Sequence, residues 1–207
     1  MRNREDRIST KAQFHQWVKQ DRIMNGHPAE PTLKESLESI IAPNYIIQFL
    51  YQLRKVEYLT NCKHGIVWGG ILLINRLRLR RMQRNLGFTI PINVFGPGLS
   101  IAHYGTIVVS QNSKVGDNCR LHVGVNIGAS GGSDDAPTIG NNVYIGPGAI
   151  LFGDIFIADG ISVGANATVN KSFLERNCVI AGTPANVVKE NCKAWNEINR
   201  DNVEKYV

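Results

Sequence analysis

The sequence predicts a mainly β protein: a parallel β-helix with a helical region before it and a short helix after it. From Ile139 to Val169 an aliphatic residue occupies every sixth position without a gap, and a small residue usually follows it. A fixed six-residue period is typical of a β-helix, in which each aliphatic side chain points inward and stacks on its equivalent one coil away. Helical spacing replaces this period near the N-terminus. We therefore divide the chain into helical residues 1–87, a β-helix over 88–189 and a helical tail over 190–207.

Composition limits the class of protein. The chain has 207 residues, of which 19% are charged, and this suits one good core with a smaller appendage. Its four cysteines form no CxxC pair, so free thiols in a reducing compartment are favoured over a disulfide framework. Residues 1–10 have no apolar run behind their charges, unlike a signal peptide. These observations predict a cytoplasmic protein.

The net charge of +6 is unevenly distributed along the chain. Residues 1–85 hold 15 Lys and Arg against 7 Asp and Glu, whereas residues 86–207 hold 8 against 10. Such an asymmetry can indicate an anionic partner, either a membrane surface or a nucleic acid. The basic run lacks interleaved aromatic residues and a recognised binding motif, so no nucleic-acid partner is expected.

Hydrophobic spacing predicts three helices in the first 60 residues. Residues 11–22 have apolar side chains at helical intervals, and so do residues 45–58. Between them, Thr32 with Glu35 three residues later is a capping box, which opens a helix through Ile41. Proline-containing breaks separate the three segments.

A fourth helix is predicted over Ile66–Leu86, apolar in its first half and rich in arginine in its second. The apolar run is too short to span a bilayer. One interpretation is in-plane contact with the inner face of a membrane, with Trp68 and aliphatic residues under a basic end. The other, which we favour, is a helix packed on the rest of the domain with a solvated arginine face.

The repeat is less regular before Ile139. Hexads begin at Ile101, and a two-residue offset precedes the hexad at Val115. The pattern then stops at a Gly, Ser and Asp loop over residues 129–137. Because Ile127 lies twelve residues before the point where the pattern resumes, the loop keeps the phase of the repeat. A loop that leaves a solenoid in this way is a typical place for function.

Five segments of the repeat region carry a family resemblance. They are GLSIAHYGTIVV at 98–109, VNIG at 125–128, PTIG at 137–140, VGANA at 163–167 and AGTPA at 181–185. In order and spacing they resemble the hexapeptide acyltransferases, and within them the serine acetyltransferase branch. The resemblance covers about half of the chain. It implies a left-handed parallel β-helix with three hexads per coil, a homotrimer, and acetyl-CoA bound between neighbouring β-helices.

The repeat region holds two histidines, His103 and His122. Acetyl transfer to a hydroxyl needs a base for the hydroxyl proton and donors for the oxyanion. His103 lies where the family keeps its catalytic histidine, so the resemblance implies a general base; the alternative is a buried, hydrogen-bonded histidine. Val123 rather than His122 is expected to stack on His103, and His122 either lines the acceptor cleft of an adjacent subunit or is a surface histidine. A third histidine at zinc-site spacing is missing, so no metal is expected.

The resemblance also implies positions for acetyl-CoA, the expected co-substrate. Pro147 and Ala165 fall where family members offer backbone groups to the pantetheine arm. Lys171 and Lys189 can meet the nucleotide phosphates, or can be solvated surface charges.

The acceptor is predicted from the positions at which this sequence departs from the serine acetyltransferase pattern. Ala102 stands where those enzymes carry Asp before the catalytic histidine, and Ala136 where they carry a substrate-binding histidine. Asp134 and Asp135 accept hydrogen bonds, which suits a polyhydroxylated acceptor. The sequence thus predicts an acetyl-CoA-dependent O-acetyltransferase acting on a saccharide acceptor by direct attack on the thioester, similar to the polysaccharide O-acetyltransferases of capsule and exopolysaccharide biosynthesis. The alternatives are serine O-acetylation for cysteine biosynthesis and a non-catalytic β-helix scaffold.

The last segment is predicted to close the solenoid. Trp195 and Ile198 have helical spacing within residues 190–207. A short helix here is expected to cap the open end of the β-helix, as terminal units of solenoids must.

Overall fold

The computed structural model describes residues 7–198, and within them five α-helices. Four precede the β-helix and one follows it: α1 Lys11–Met24, α2 Leu33–Ile41, α3 Tyr45–Cys62, α4 Ile66–Leu86 and α5 Trp195–Ile198. The four N-terminal helices confirm those predicted from hydrophobic spacing.

Side-chain caps explain where three of these helices begin. Thr10, Thr32 and Asn44 each precede a helix, and the side-chain oxygen of each accepts a hydrogen bond from a backbone N–H group of the first turn. Of the two hydrogen bonds in the capping box predicted at α2, only the one accepted by the Thr32 side chain forms. The Glu35 carboxylate instead accepts a hydrogen bond from Arg22 at 2.6 Å. This side-chain contact ties α2 to α1.

Fourteen short strands lie in the described part of the chain. They are β1 Phe88–Thr89, β2 Ser100–Ile101, β3 Ile107–Val109, β4 Lys114–Val115, β5 Arg120–Leu121, β6 Asn126–Gly128, β7 Thr138–Ile139, β8 Tyr144–Ile145, β9 Ile150–Phe152, β10 Phe156–Ile157, β11 Ser162–Val163, β12 Thr168–Val169, β13 Val179–Gly182 and β14 Ala185–Lys189. They form three sheets with the orders β1-β3-β6-β9-β12, β4-β7-β10 and β2-β5-β8-β11-β13-β14. Every pair is parallel except β13 with β14. From β2 to β12, successive strands belong to different sheets, so the chain winds as a three-sided coil.

The strand register gives the length of each coil. Ile145 pairs with Val163, 18 residues later, which is three hexads. Leu121 pairs with Ile145 after 24 residues, and Ile101 pairs with Leu121 after 20. Two coils therefore carry six and two additional residues, and both insertions lie at corners between sheets.

The inward aliphatic residues of the hexads form the core. Leu121, Ile145, Val163 and Ile180 stack along one sheet, and each has 0% of its surface exposed. Burying an aliphatic side chain of this size contributes about 1.5–3 kcal/mol. The stacking predicted from the six-residue period thus stabilises the contacts between coils.

A buried ion cluster joins the helical region to the first coil. Arg54 of α3 donates to both carboxylate oxygens of Asp21 at 2.7 and 3.2 Å, and to Glu57 at 3.0 Å. It also donates to the carbonyl oxygens of residues 95–96, while Asp21 accepts the backbone N–H groups of residues 98–99. All three side chains are buried, so the cluster is stable because each charge has several partners.

Helix α4 packs on α3 through one face and exposes the other. Asn75 and Leu79 are buried, and the side chain of Gln52 donates to the carbonyl oxygen of Asn75 at 2.9 Å. The favoured packing interpretation is correct for this face. The outward face holds apolar side chains as well as arginines: Ile66, Val67, Leu73, Ile74 and Leu77, followed by Arg80, Arg81 and Arg84. Between residues 7 and 198, no helix is both long and apolar enough to cross a membrane.

A glycine at the end of α4 contacts the first coil closely. Gly87 has a φ of 80°, and a Cβ atom there would lie 2.9 Å from the carbonyl carbon of Gly105. Gly87→Ala is expected to lower the free energy of unfolding by about 1–3 kcal/mol, because alanine adds left-handed backbone strain and a backbone contact.

Gly69→Ala is the matched control for this substitution. It lies inside α4, where a Cβ atom meets nothing within 4 Å, so it is expected to raise the free energy of unfolding by up to about 1 kcal/mol. Urea denaturation of both variants checks the prediction. Equal effects of the two substitutions would contradict the close approach at Gly87.

Helix α5 lies along the side of the β-helix. The indole N–H of Trp195 donates to the carbonyl oxygen of Asn118 at 2.9 Å, and Asn196 donates to the side-chain oxygen of Asn142 at 3.0 Å. Asn118 and Asn142 are turn residues of neighbouring coils. The prediction that this helix caps the open end is therefore wrong, since the buried indole finds its hydrogen-bond partner on the flank. The rest of the predicted tail, 199–207, falls outside the described residues.

Candidate active site

The two additional residues of the first coil lie at the corner that carries His103. Val109 keeps an 18-residue step to its partner, whereas Ile101 has a 20-residue step. The insertion therefore lies between these two residues, and not just before Val115 as the sequence pattern suggested. The enlarged turn leaves His103 exposed, so the alternative of a buried structural histidine is wrong.

Gly105 takes the stacking position that was expected of His103. A Cβ atom on Gly105 would lie 2.6 Å from a methyl group of Val123. The prediction that Val123 stacks on His103 is wrong, because the inserted residues move the histidine out of the column. The backbone N–H of Gly105 donates to the carbonyl oxygen of Leu86 at 2.9 Å. The C-terminal end of α4 thus helps to position this corner.

Three rings lie together beside the corner. The ring centroid of His122 is 6.4 Å from that of His103 and 5.0 Å from that of Tyr144. The Nε2 atom of His122 is buried and has no hydrogen-bond partner within the part of the chain that the structure describes. Burial, and then the positive charges of Arg120 and His103, lower the pKa of His122. Its imidazole is therefore neutral near pH 7, so one ring nitrogen can donate a hydrogen bond and the other can accept one.

Pro147 and Ala165 lie on the same edge of the three-sided coil as His103. Backbone hydrogen bonds of 2.9 and 2.8 Å join the turns at Val123, Pro147 and Ala165 into one column. Successive coils are about 4.8 Å apart, so the column leads away from His103 in short steps. It offers small side chains and backbone groups on an accessible edge.

Lys171 and Lys189 lie in the last coils of the β-helix. The Lys171 amine donates to the side-chain oxygen of Asn186 at 2.8 Å and lies 5.5 Å from the ring centroid of Phe173. Lys189 is the last residue of β14. Both lysines are exposed, as phosphate-binding or solvated amines would be.

The loop over 129–137 lies at a different corner from His103. It connects β6 to β7, whereas the His103 turn connects β2 to β3. The side chain of Ser133 donates to the Asp135 carboxylate at 2.8 Å within the loop. The structure therefore does not bring Asp134 and Asp135 together with His103 in one chain. Sequence order alone could not show which corner each turn occupies.

Sequence reasoning missed Arg120 and Tyr144, which lie beside His122. Strand register aligns Ser100, Arg120 and Tyr144 in one column across β2, β5 and β8. The guanidinium of Arg120 donates to the hydroxyl oxygen of Ser100 at 2.9 Å. A signal was present, because each of these residues directly precedes the inward aliphatic of its hexad.

Residues 7–198 contain no group of three or more His, Cys, Asp or Glu side chains that could hold a metal ion. Cys119 is 1% exposed in the core, and burial raises the pKa of its thiol. A raised pKa disfavours the thiolate form that binds metals.

Comparison with known proteins finds similarity to one group of enzymes. No protein-family model matches this chain. It is 36% identical over 100 residues to a serine acetyltransferase of Mycobacterium tuberculosis, covering 47% of this chain and 43% of the relative. It is 33% identical over 97 residues to a serine acetyltransferase of Helicobacter pylori, covering 46% and 57%. The match thus spans about half the length of these curated relatives.

Solved structures agree in fold. Serine acetyltransferase from Brucella abortus has a TM-score of 0.59 at 20% identity, covering 87% of this chain and 70% of that one. The Neisseria gonorrhoeae enzyme has a TM-score of 0.59 at 21% identity, covering 89% and 68%. At 20–21% identity, these matches show a shared fold. They also confirm the predicted left-handed parallel β-helix with an N-terminal helical region.

The named relatives contradict the predicted saccharide acceptor. They are serine acetyltransferases, so neither surface-polysaccharide biosynthesis nor the resemblance to polysaccharide O-acetyltransferases is supported. The prediction gave too much weight to single positions, Ala102 and Ala136. It also relied on Asp134 and Asp135, which lie at another corner from His103. The alternative, serine O-acetylation, fits the relatives better.

Proposed function

We propose that this chain is an acetyl-CoA-dependent serine O-acetyltransferase with His103 as its general base. The observation that carries the proposal is the exposed His103 in the enlarged turn whose Gly105 stacks on the column of Val123, Pro147 and Ala165. An accessible imidazole beside a row of small residues suits an acyl donor with a long, narrow arm. The serine acetyltransferase relatives support the same chemistry.

The reaction needs one base and one oxyanion donor. The serine hydroxyl attacks the thioester carbonyl while His103 takes its proton; the new C–O bond forms, the C–S bond breaks, and the proton passes to the leaving thiolate. A neutral imidazole is suited to this exchange near cellular pH. As its Nε2–H tautomer, His122 can donate to the developing oxyanion, because no described residue forms a hydrogen bond with this nitrogen.

The remaining site residues take roles by position. Pro147 and Ala165 would contact the pantetheine arm, and Lys171 and Lys189 the nucleotide phosphates. In a homotrimer, the corner of one subunit that carries residues 129–137 can face the His103 corner of the next. Asp134 and Asp135 would then meet the acceptor ammonium group across the subunit boundary.

The cellular setting is part of the same proposal. We place the enzyme in the cytoplasm, where acetyl-CoA and serine are both available. Peripheral contact of Ile66–Leu86 with the inner face of a membrane stays a prediction. Its exposed apolar side chains and five arginines support it, since this combination suits an anionic lipid surface.

Thiol release from acetyl-CoA tests the proposal. The purified chain is expected to release thiol steadily with L-serine and to form O-acetylserine, identified by mass spectrometry. Glucose and nucleotide sugars at equal concentration serve as comparison acceptors and are expected to give only background hydrolysis. Thiol release with a sugar but not with L-serine would overturn the serine assignment.

A further inference from the structure

Arg120 is a partly buried arginine on the outer face of the β-helix, and no carboxylate within residues 7–198 pairs with it. Arg120 uses one N–H group to donate to Ser100 at 2.9 Å, and its guanidinium carbon lies 5.4 Å from the ring centroid of Trp195. Among the described residues no carboxylate forms an ion pair with it. Burial lowers the pKa of Arg120, as expected for a cation that has lost water without gaining an anion.

The contrast with Arg54 shows what is missing. Arg54 is fully buried and has two carboxylates and two carbonyl oxygens as acceptors. Arg120 has five N–H donors, and the described residues offer them one oxygen acceptor, the hydroxyl of Ser100. A guanidinium in this state is a ready partner for an incoming carboxylate, which it can bind through two parallel hydrogen bonds.

The surroundings of Arg120 restrict the ligand. His122 lies two residues further along the chain, so its side chain leaves the same face of the sheet about 6.6 Å away. Tyr144 lies over His122 on one side, and Trp195 covers the guanidinium on another. These rings lie beside the cation and can contact the apolar part of a small ligand whose anionic group binds Arg120.

His122 connects Arg120 to the proposed reaction centre. Its ring centroid lies 6.4 Å from that of His103, and the charges of both Arg120 and His103 act on its pKa. The hydrogen bond to Ser100 holds the guanidinium against the coil that carries His103. An acceptor beside His103 and His122 is therefore close to an arginine that can bind its carboxylate.

We propose that Arg120 binds the carboxylate of the acceptor amino acid, with Ser100 holding the guanidinium and His122 and Tyr144 forming the wall. This inference rests on the proposed serine acetylation and deepens it. It gives the site a cation for the acceptor carboxylate, although Ala136 stands where the resemblance expects a substrate-binding histidine. The acceptor class is then a small 2-amino-3-hydroxy acid, and an amino alcohol without the carboxylate is a poor substrate.

Steady-state kinetics of Arg120→Gln test the assignment. The KM for L-serine is expected to rise by about 10- to 100-fold, the value of a charge-assisted hydrogen bond, with a much smaller change in kcat. With ethanolamine, which lacks the carboxylate, the variant and the parent protein are expected to have equal kcat/KM. Arg176→Gln is the matched control, because Arg176 is an exposed arginine of the same β-helix, 3.4 Å from Asp159, and is expected to leave both KM values unchanged.

Calorimetric titration with L-serine in the absence of acetyl-CoA separates the two proposals. If the parent protein acetylates L-serine and Arg120→Gln keeps the same KM, the carboxylate assignment is overturned and the proposed function stands. Equal losses with L-serine and ethanolamine also overturn it, since they indicate a structural role. If the parent protein transfers acetyl to no acceptor, the proposed function fails. If the parent protein transfers no acetyl group but binds L-serine, and Arg120→Gln loses this binding, the carboxylate assignment is still supported. If the inactive parent protein does not bind L-serine, the carboxylate assignment is overturned.

Discussion

His103→Ala is expected to lower kcat for acetyl transfer to L-serine by about 10²- to 10⁴-fold, the usual contribution of a general base. The side chain is exposed at the enlarged corner, so its removal leaves no buried cavity. The free energy of unfolding should therefore stay within about 0.5 kcal/mol of the parent protein. Thiol release and urea denaturation measure the two quantities on the same preparation.

His64→Ala is the matched control for His103→Ala. His64 is an exposed histidine at the turn between α3 and α4, away from the β-helix. This variant should keep the parent kcat. If His103→Ala retained more than half of the parent kcat, His103 could not be the base.

Asp21→Ala is expected to destabilise the protein by about 3–5 kcal/mol, because it removes one partner of a buried ion cluster. Arg54 would lose two of its hydrogen bonds while staying buried, and the backbone N–H groups of residues 98–99 would lose their acceptor. These groups join α1 and α3 to the first coil. The midpoint of urea denaturation is the appropriate measurement.

Glu30→Ala is the control for the loss of a carboxylate. Glu30 pairs with Lys19 at 2.8 Å, but both side chains are largely exposed, so no measurable change in the denaturation midpoint is expected. Asp21→Asn should fall between the two, because an amide oxygen can still accept hydrogen bonds from the backbone. A loss below about 1 kcal/mol for Asp21→Ala would show that the cluster is not the anchor between helices and β-helix.

Local patterns predicted the elements of this fold well. The six-residue period predicted the inward stack of Leu121, Ile145 and Val163, because every sixth side chain points inward and the chain returns to the same side of the coil after three hexads. Apolar spacing predicted α1 to α4, and Thr32 marked the start of α2. These signals are local, so they survive without knowledge of the tertiary structure.

The candidate site was harder to predict, because it depends on which corner each turn occupies. The offset was assigned to the turn before Val115, yet the strand register assigns it to the turn at His103. The loop carboxylates at 134–135 were expected to meet the acceptor beside His103, yet their loop lies at another corner. The sequence repeat shows how many residues are inserted. The pairing between strands decides at which corner of the coil the inserted residues lie.

By itself, the sequence determined the β-helix, its inward aliphatic residues and the choice of His103 as the candidate general base. Periodicity and residue type are sufficient for these features, since each follows from the step of the coil. Only the tertiary structure decided that the ring of His122 lies beside those of His103 and Tyr144, and that no carboxylate in the described part of the chain pairs with Arg120. These relations arise from contacts between coils about 20 residues apart, where packing and register outweigh local preference.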